Sequence, residues 1–140
     1  MDVGATERFR RVPEAIPAAR VFVRRWLPAR HSSEAVDQLV LAASEAMNNV
    51  VNHADGGDFM VSVIYDGERR AGVVVTDAGA GFTPGEPLTM PPAEEAAGRG
   101  LALMQALVDD VRIASGPAGT TIALQHDLGP ASEHAGSAPG

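Results

Sequence analysis

A glutamate and an asparagine, spaced by one helical turn, are the strongest chemical signal in the sequence. Glu45 and Asn49 lie within an apolar repeat, so a helix there would point both side chains the same way. A carboxylate can accept a proton from a hydroxyl group or water, and an amide oxygen is a hard ligand suited to Mg²⁺ beside phosphates. The pair therefore indicates proton transfer next to metal-bound phosphate.

The helix that must position this pair is predicted at residues 34–54. Its apolar residues recur on one side, as expected of a helix packed on a core: Val36, Leu39, Val40, Ala43, Met47, Val50, Val51 and Ala54. The opposite side carries Glu45, Asn49 and Asn52. Asparagine is up to about 0.7 kcal/mol per residue worse than alanine as a helix former. Such a break of local preference is typical of a functional site, and an irregular solvated face remains the alternative.

Three further motifs follow in the chain, and each suits one part of a nucleotide. Asp77 ends an apolar run just before Gly79 and Gly81, where a carboxylate could accept a hydrogen bond from an exocyclic amine of a closely approaching base. Residues 98–100 open an apolar helix whose amide groups and dipole could face phosphate. Thr120 supplies a hydroxyl at the start of a strand. Each motif alone is common in turns, but their joint order points to a nucleotide site.

The remaining segments complete a β-α-α-β-β-loop-α-β-β order. The strands are predicted at residues 6–12, 59–65, 72–77, 111–115 and 120–125, and the other helices at residues 13–28 and 101–108. Trp26 is expected in the core or in an interface. Short hairpins favour antiparallel pairing, and three helices with one apolar stripe each need a sheet face to cover.

We therefore predict an α+β fold, a two-layer sandwich in which three helices cover one face of a mixed, mainly antiparallel sheet. Residues 1–126 would form a single domain, and residues 127–140, with their Gly, Pro, Ser and Ala, a disordered tail.

Composition excludes several classes of function. The sequence contains no cysteine and no lysine, which excludes disulfides, thiolate metal sites, the lysine-dependent phosphate loop and Schiff-base chemistry. The net charge of -7 argues against direct nucleic-acid binding. With no apolar run long enough for a membrane span and no signal peptide, we expect a cytoplasmic protein that does not contact membranes. Arginines concentrate in residues 1–31, where they could steer an acidic partner or simply be solvated.

In order and spacing, these motifs resemble those of the GHKL or Bergerat-fold ATPases, which include histidine-kinase catalytic domains, gyrase B and MutL. Glu45-x-x-x-Asn49-x-x-x-His53 is similar to the N box, and Asp77-x-Gly79-x-Gly81 to the first glycine box. Gly98-x-Gly100-Leu101 is similar to the second glycine box, and Gly119-Thr120 is similar to the closing threonine motif. The likeness spans about residues 34–125. It is greatest to the small anti-sigma-factor serine kinases of the RsbW/SpoIIAB type, which share Ser-Glu-Ala-x-x-Asn-x-Val-x-His-Ala and Gly-Arg-Gly-Leu-x-Leu.

The resemblance implies ATP and Mg²⁺ as cofactors and a role for each phosphate-facing residue. Glu45 would be the general base that activates the acceptor hydroxyl, and Asn49 would bind the Mg²⁺ that bridges the ATP phosphates. Residues 98–101 would cradle phosphate beneath a lid formed by residues 83–97. Arg99 could neutralise phosphate charge, although a solvated arginine is the simpler expectation.

The resemblance also implies how the base is held. Asp77 would accept a hydrogen bond from the adenine amino group, assisted through water by the Thr120 hydroxyl, while Gly79 and Gly81 would shape the pocket. Asn52 and His53 are expected to touch phosphate and the adenine or ribose edge. For His53, a structural role is equally open.

Three functions remain open at this point. The first, implied by the resemblance, is a homodimeric Mg-ATP-dependent serine/threonine kinase that binds a sigma factor and phosphorylates an anti-anti-sigma protein with a STAS domain. The proline-rich lid and the absence of lysine favour a second, in which ATP or ADP is a structural ligand of a regulatory module and no phosphate moves. The third is a degenerate domain that has lost its nucleotide.

Overall fold

The computed structural model describes residues 2–27, 31–53, 57–77, 99–116 and 119–130, and within them the chain forms five strands and three α-helices. The strands are β1 (Asp2–Arg10), β2 (Asp58–Tyr65), β3 (Arg70–Asp77), β4 (Asp110–Gly116) and β5 (Gly119–Asp127). The helices are α1 (Ile16–Trp26), preceded by a 3-10 turn (Pro13–Ala15), α2 (Ser33–His53) and α3 (Arg99–Leu107). The predicted α+β class and element order are confirmed.

The described strands form one sheet in the order β1-β2-β3-β5-β4, with every neighbouring pair antiparallel. The sheet was expected to be mixed and mainly antiparallel; its described strands are antiparallel throughout. β3 lies at the centre, where a strand has a neighbour on each side. Its valines are buried on both faces, Val73 and Val75 on one and Val74 on the other, which explains the almost uninterrupted apolar sequence of this strand.

The hydrophobic core lies between the sheet and α2. The predicted apolar stripe of α2 is buried from Val36 to Val51, while Ala54 lies outside the described residues. These side chains form one cluster with Phe59, Val75 and Ile122 from the facing side of the sheet. Burying a side chain of this size stabilises the fold by roughly 1.5 to 3 kcal/mol, so α2 is held firmly and its polar face has a defined direction.

Within the described residues, no helix is both long and apolar enough to cross a membrane.

The first helix buries a different face from the one suggested by its sequence. Ile16, Ala19, Phe22 and Val23 are buried, whereas Trp26 is 48% exposed. Leu27, directly after the helix, takes the core position instead. Trp26 is therefore not a core residue, and its expected role in an interface stays a prediction.

The end of β5 packs on the domain. The strand continues through Asp127 and Leu128 is fully buried, so residues 127–130 belong with the folded part of the chain rather than with the predicted tail. Arg69 forms two hydrogen bonds with Asp127, from Nε to Oδ1 at 2.8 Å and from Nη2 to Oδ2 at 2.9 Å. His31 Nδ1 lies 2.9 Å from the carbonyl oxygen of Gly129. The rest of the predicted tail, residues 131–140, lies outside the described residues.

We expect the Arg69 pair to make stability depend on pH in acid. Hydrogen bonds from the Arg69 guanidinium and the Gly129 N–H lower the pKa of Asp127 from 3.8 to about 2. The native state then binds fewer protons than the unfolded state, so this stabilisation is present above about pH 4 and is lost as pH falls through about 2. Asp127→Asn should be less stable than wild type at pH 5, and the difference should shrink towards pH 2, as measured by urea midpoints. Arg69→Gln should show the same convergence; unchanged pH dependence in both variants would contradict this assignment.

Candidate functional site

The antiparallel connections bring the predicted motifs to one end of the sheet. β2 begins close to the end of α2 and runs antiparallel to β3, with Phe59 at its start opposite Asp77 at the end of β3. β5 begins at the same end, because Thr121 pairs with Thr76. The second half of α2, the end of β3 and the start of β5 therefore meet in one region.

Asp77 and Thr120 are in direct contact in this region. Successive residues of a strand alternate between faces, so Asp77 lies on the helix-facing side with the buried Val75. The Thr120 main-chain N–H donates a hydrogen bond to Asp77 Oδ2 at 2.9 Å, and the carboxylate is only 6% exposed. The predicted pair is thus brought together. The sequence suggested the hydroxyl of Thr120, whereas the contact described here uses its main-chain amide.

A glycine completes the surroundings of this carboxylate. Gly119 has a φ of +128°, and a Cβ atom built on it would lie 2.8 Å from Cγ of Asp77, closer than real contacts allow. The space of a side chain at position 119 is therefore filled by the carboxylate. A buried acceptor at a strand end, held by a main-chain amide, fits recognition of an amino group on a flat base.

Two threonines behind Asp77 were not identified from the sequence. Thr76 and Thr121 are buried on the opposite face of the sheet, and their hydroxyl oxygens lie 2.8 Å apart. The Thr76 hydroxyl also lies 3.3 Å from the Thr120 carbonyl oxygen. These contacts tie β3 to β5 directly behind the site. In the sequence, each of these threonines stands next to a predicted site residue, which could have pointed to it. Their contact with each other could not be predicted, because it depends on the strand register.

On α2, the predicted polar residues lie opposite the buried stripe, and the helix is followed by β2, which starts at this end of the sheet. Glu45 is half-buried, and Asn49 and Asn52 are exposed, in contrast to the buried stripe on the other side of the helix. The half-burial of Glu45 keeps its carboxylate accessible. His53 is the last residue of the helix, and its side chain lies outside what the structure describes.

The predicted phosphate-binding segment is described only in part. α3 starts at Arg99, as expected, and the Leu101 side chain is buried in the core. Leu101 can therefore serve a phosphate only through its main chain. Gly79, Gly81 and Gly98 lie outside the described residues, as do the side chain of Arg99 and the predicted lid, so their roles stay predictions.

A bound Mg²⁺ would have few protein ligands among the described residues. They contain no group of three or more His, Cys, Asp or Glu side chains that could hold a metal ion. Mg²⁺ usually takes one or two protein oxygens together with substrate phosphates and water, so the amide of Asn49 fits such a role. The metal would then come with its nucleotide.

Comparison with known proteins identifies a family and a similar solved structure. Residues 9–126, more than half of the chain, match the family model of the histidine kinase-like ATPase domain. The structure is also similar to the crystal structure of the RsbU and RsbW domains of Rv1364c from Mycobacterium tuberculosis, with a TM-score of 0.68 and 26% sequence identity. That match covers 91% of this chain and 32% of the other, so this chain spans about a third of the length of that protein.

Asp77→Asn should weaken ATP binding at least tenfold, equivalent to about 1.4 kcal/mol, while the protein remains folded. The asparagine can keep an oxygen on the Thr120 N–H, but it then presents an NH₂ group instead of an acceptor to the adenine amine. Calorimetric titration with Mg-ATP would measure the change. Asp110→Asn, at the opposite end of the sheet, is the control and should bind as wild type; equal affinities for all three proteins would contradict the role of Asp77.

Proposed function

Since the chain belongs to the histidine kinase-like ATPase domain family, we propose that it is an ATP-dependent serine/threonine protein kinase that acts as an anti-sigma factor in the cytoplasm. The observation that carries the proposal is the buried Asp77, whose carboxylate accepts the Thr120 main-chain N–H at the end of the sheet where β2 starts after α2. Adenine recognition and phosphate chemistry would thus lie side by side.

The nucleotide would be held by residues from three elements. Asp77 accepts a hydrogen bond from the adenine amine, and the start of α3 offers main-chain amides to phosphate. Asn49 provides its amide oxygen to Mg²⁺. When bound, Mg-ATP would supply the phosphoryl group to be transferred. The chain's own contribution is then to orient the reactants and to exclude water, which is most of what phosphoryl transfer needs from a protein.

Glu45 is the residue we propose as general base. It lies on the same side of α2 as Asn49, one turn earlier, and its half-burial leaves it within reach of a partner protein. In this role the Glu45 carboxylate would accept the proton of a serine or threonine hydroxyl as that oxygen bonds to the γ-phosphorus of ATP, the bond to the β,γ-bridging oxygen breaks and ADP leaves. General-base catalysis of this kind typically contributes a factor of about 10² to 10⁴ in rate.

The proposed protein partners are a sigma factor, which the chain would sequester, and a STAS-domain anti-anti-sigma protein, which it would phosphorylate; we further propose a homodimer. The likeness to a protein that contains an RsbW domain supports this class of partner. The α1 surface suits such binding, because Arg20, Val21, Arg24 and Arg25 line an open groove of about 550 Å³. Val21 is 58% exposed there. An apolar patch edged by arginines fits an acidic, amphipathic segment of a partner.

A second function is favoured by the absence of lysine from the whole chain. Phosphate charge would then be met by Mg²⁺, main-chain amides and arginine alone. Such a site can bind ATP or ADP without transferring phosphate, in which case the nucleotide would control the affinity for a protein partner.

Glu45→Ala should reduce phosphotransfer at least 100-fold and change ATP affinity by less than about threefold, because the base acts on the acceptor rather than on the nucleotide. The assay is transfer of label from γ-labelled ATP to a candidate STAS protein, with calorimetry for binding. Glu34→Ala, on an exposed part of the same helix, should behave as wild type. Retained transfer by Glu45→Ala would contradict the role of Glu45. Wild-type protein that binds ATP and transfers no label would favour the regulatory module.

Val21→Glu should weaken sigma-factor binding at least tenfold, since it places a negative charge in a groove lined by arginines. Its effect on stability should stay within about 0.5 kcal/mol, because the side chain is exposed. The binding would be measured by biolayer interferometry against the sigma factor that co-purifies with the protein. Leu103→Glu, an exposed leucine of α3, is the control. Equal losses in both variants would place the docking surface elsewhere.

A further inference from the structure

We propose that Gly119 is a positioning residue for nucleotide recognition, in which the missing side chain leaves the space that the Asp77 carboxylate needs. The inference rests on the proposed function in one respect, namely that Asp77 holds the adenine base. Its structural part, the contact between Gly119 and Asp77, is independent of any nucleotide.

Gly119 differs from the other positive-φ glycines that the structure describes. Gly67 and Gly129 have φ values of +86° and +80°, and a Cβ atom on either would meet nothing within 4 Å. Gly57 has a φ of +79°, and a Cβ atom there would be at ordinary contact distance, 3.4 Å, from the Arg11 side chain. At those positions glycine serves the backbone alone. Gly119 also has a positive φ, +128°, and in addition a Cβ atom there would overlap the Asp77 carboxylate.

The overlap involves the whole carboxylate. Oδ2 of Asp77 accepts the main-chain N–H of Thr120 at 2.9 Å, and it lies 2.8 Å from the position of a Cβ at residue 119. Oδ1 is the Asp77 atom that lies nearest to that position. A side chain there would therefore displace both oxygens, including the one that the Thr120 amide holds. A carboxylate carries about four lone-pair positions, so its placement decides where the amine of a base can be accepted.

The register of the sheet makes this arrangement rigid. Thr76 pairs with Thr121, so Thr120 lies opposite Asp77 and Gly119 follows at the very end of β5. The carboxylate is almost fully buried, so it has little room to move aside. Displacing it would reduce discrimination between a 6-amino and a 6-oxo purine, because that discrimination depends on an acceptor at a defined place.

The test compares Gly119→Ala with Gly67→Ala, which also places an alanine at a positive φ, but at an open position far from the site. Binding of Mg-ATP and of Mg-inosine triphosphate, whose base carries a 6-oxo group, is measured by calorimetry on the full chain. We expect Gly119→Ala to bind ATP at least tenfold more weakly, which corresponds to about 1.4 kcal/mol. It should also lose most of its preference for ATP over inosine triphosphate. Gly67→Ala should keep both the affinity and the preference of wild type. Wild-type ATP affinity and preference in Gly119→Ala would overturn the proposal.

A second measurement needs no nucleotide. Gly119→Ala should lower the thermal unfolding midpoint more than Gly67→Ala does, and it should lower the midpoint less in an Asp77→Ala background than in wild type. Such non-additivity is the signature of two residues in contact. Additive shifts would overturn the contact. If Gly119→Ala alone does not fold, the same substitution in the Asp77→Ala background still tests the contact, since a folded double variant is then the expected result. A third outcome is that the shifts of the variants are non-additive but the wild-type protein binds neither nucleotide. That outcome would confirm the contact and would overturn both its role in recognition and the proposed function.

Discussion

The register between β3 and β5 is the constraint on which the site depends. Because Thr76 pairs with Thr121, Asp77 and Thr120 lie opposite one another on the helix-facing side of the sheet. A slip of one residue would turn Asp77 to the other face and put Val74 in place of Val73 and Val75 on the side that packs under α2. Two interactions hold the register from opposite sides of the sheet: the burial of Val73 and Val75 under α2, and the 2.8 Å contact of the two threonine hydroxyls. The position of a polar recognition group is thus secured by the core.

α2 couples the fold to the chemistry in a similar way. One side of this helix is buried along most of its length, which defines how the helix is rotated about its axis. Glu45 and Asn49 point away from the core for that reason, rather than through contacts of their own. Asparagines cost helix stability, but the packing of the buried stripe is worth several times as much, so the helix can carry them where a site needs them.

The two ends of the sheet are built differently. At the far end, Arg69 and Asp127 form an exposed ion pair and His31 contacts the Gly129 carbonyl, so polar groups there satisfy one another and hold the chain after β5. At the site end, Asp77 is held by a main-chain amide on one oxygen and lies beside a glycine. The first arrangement joins two charged side chains to each other, whereas in the second the main chain positions a buried carboxylate.

The sequence by itself determined the element order, the buried stripe of α2, the direction of its polar face and the choice of Asp77 and Thr120. These follow from periodicity and from residue type, which are local properties. Trp26, expected in the core or in an interface, does not lie in the core, because which side of a short helix faces the sheet depends on how neighbouring elements pack. The end of the folded chain also came later than residue 126, since the burial of Leu128 needs a cavity made by distant segments. Only the tertiary structure decided that the Thr120 amide holds Asp77, that Thr76 and Thr121 meet behind it, and that Gly119 leaves the carboxylate its space. Those contacts join residues about 43 positions apart, and the cross-strand register that joins them is a property of the assembled sheet.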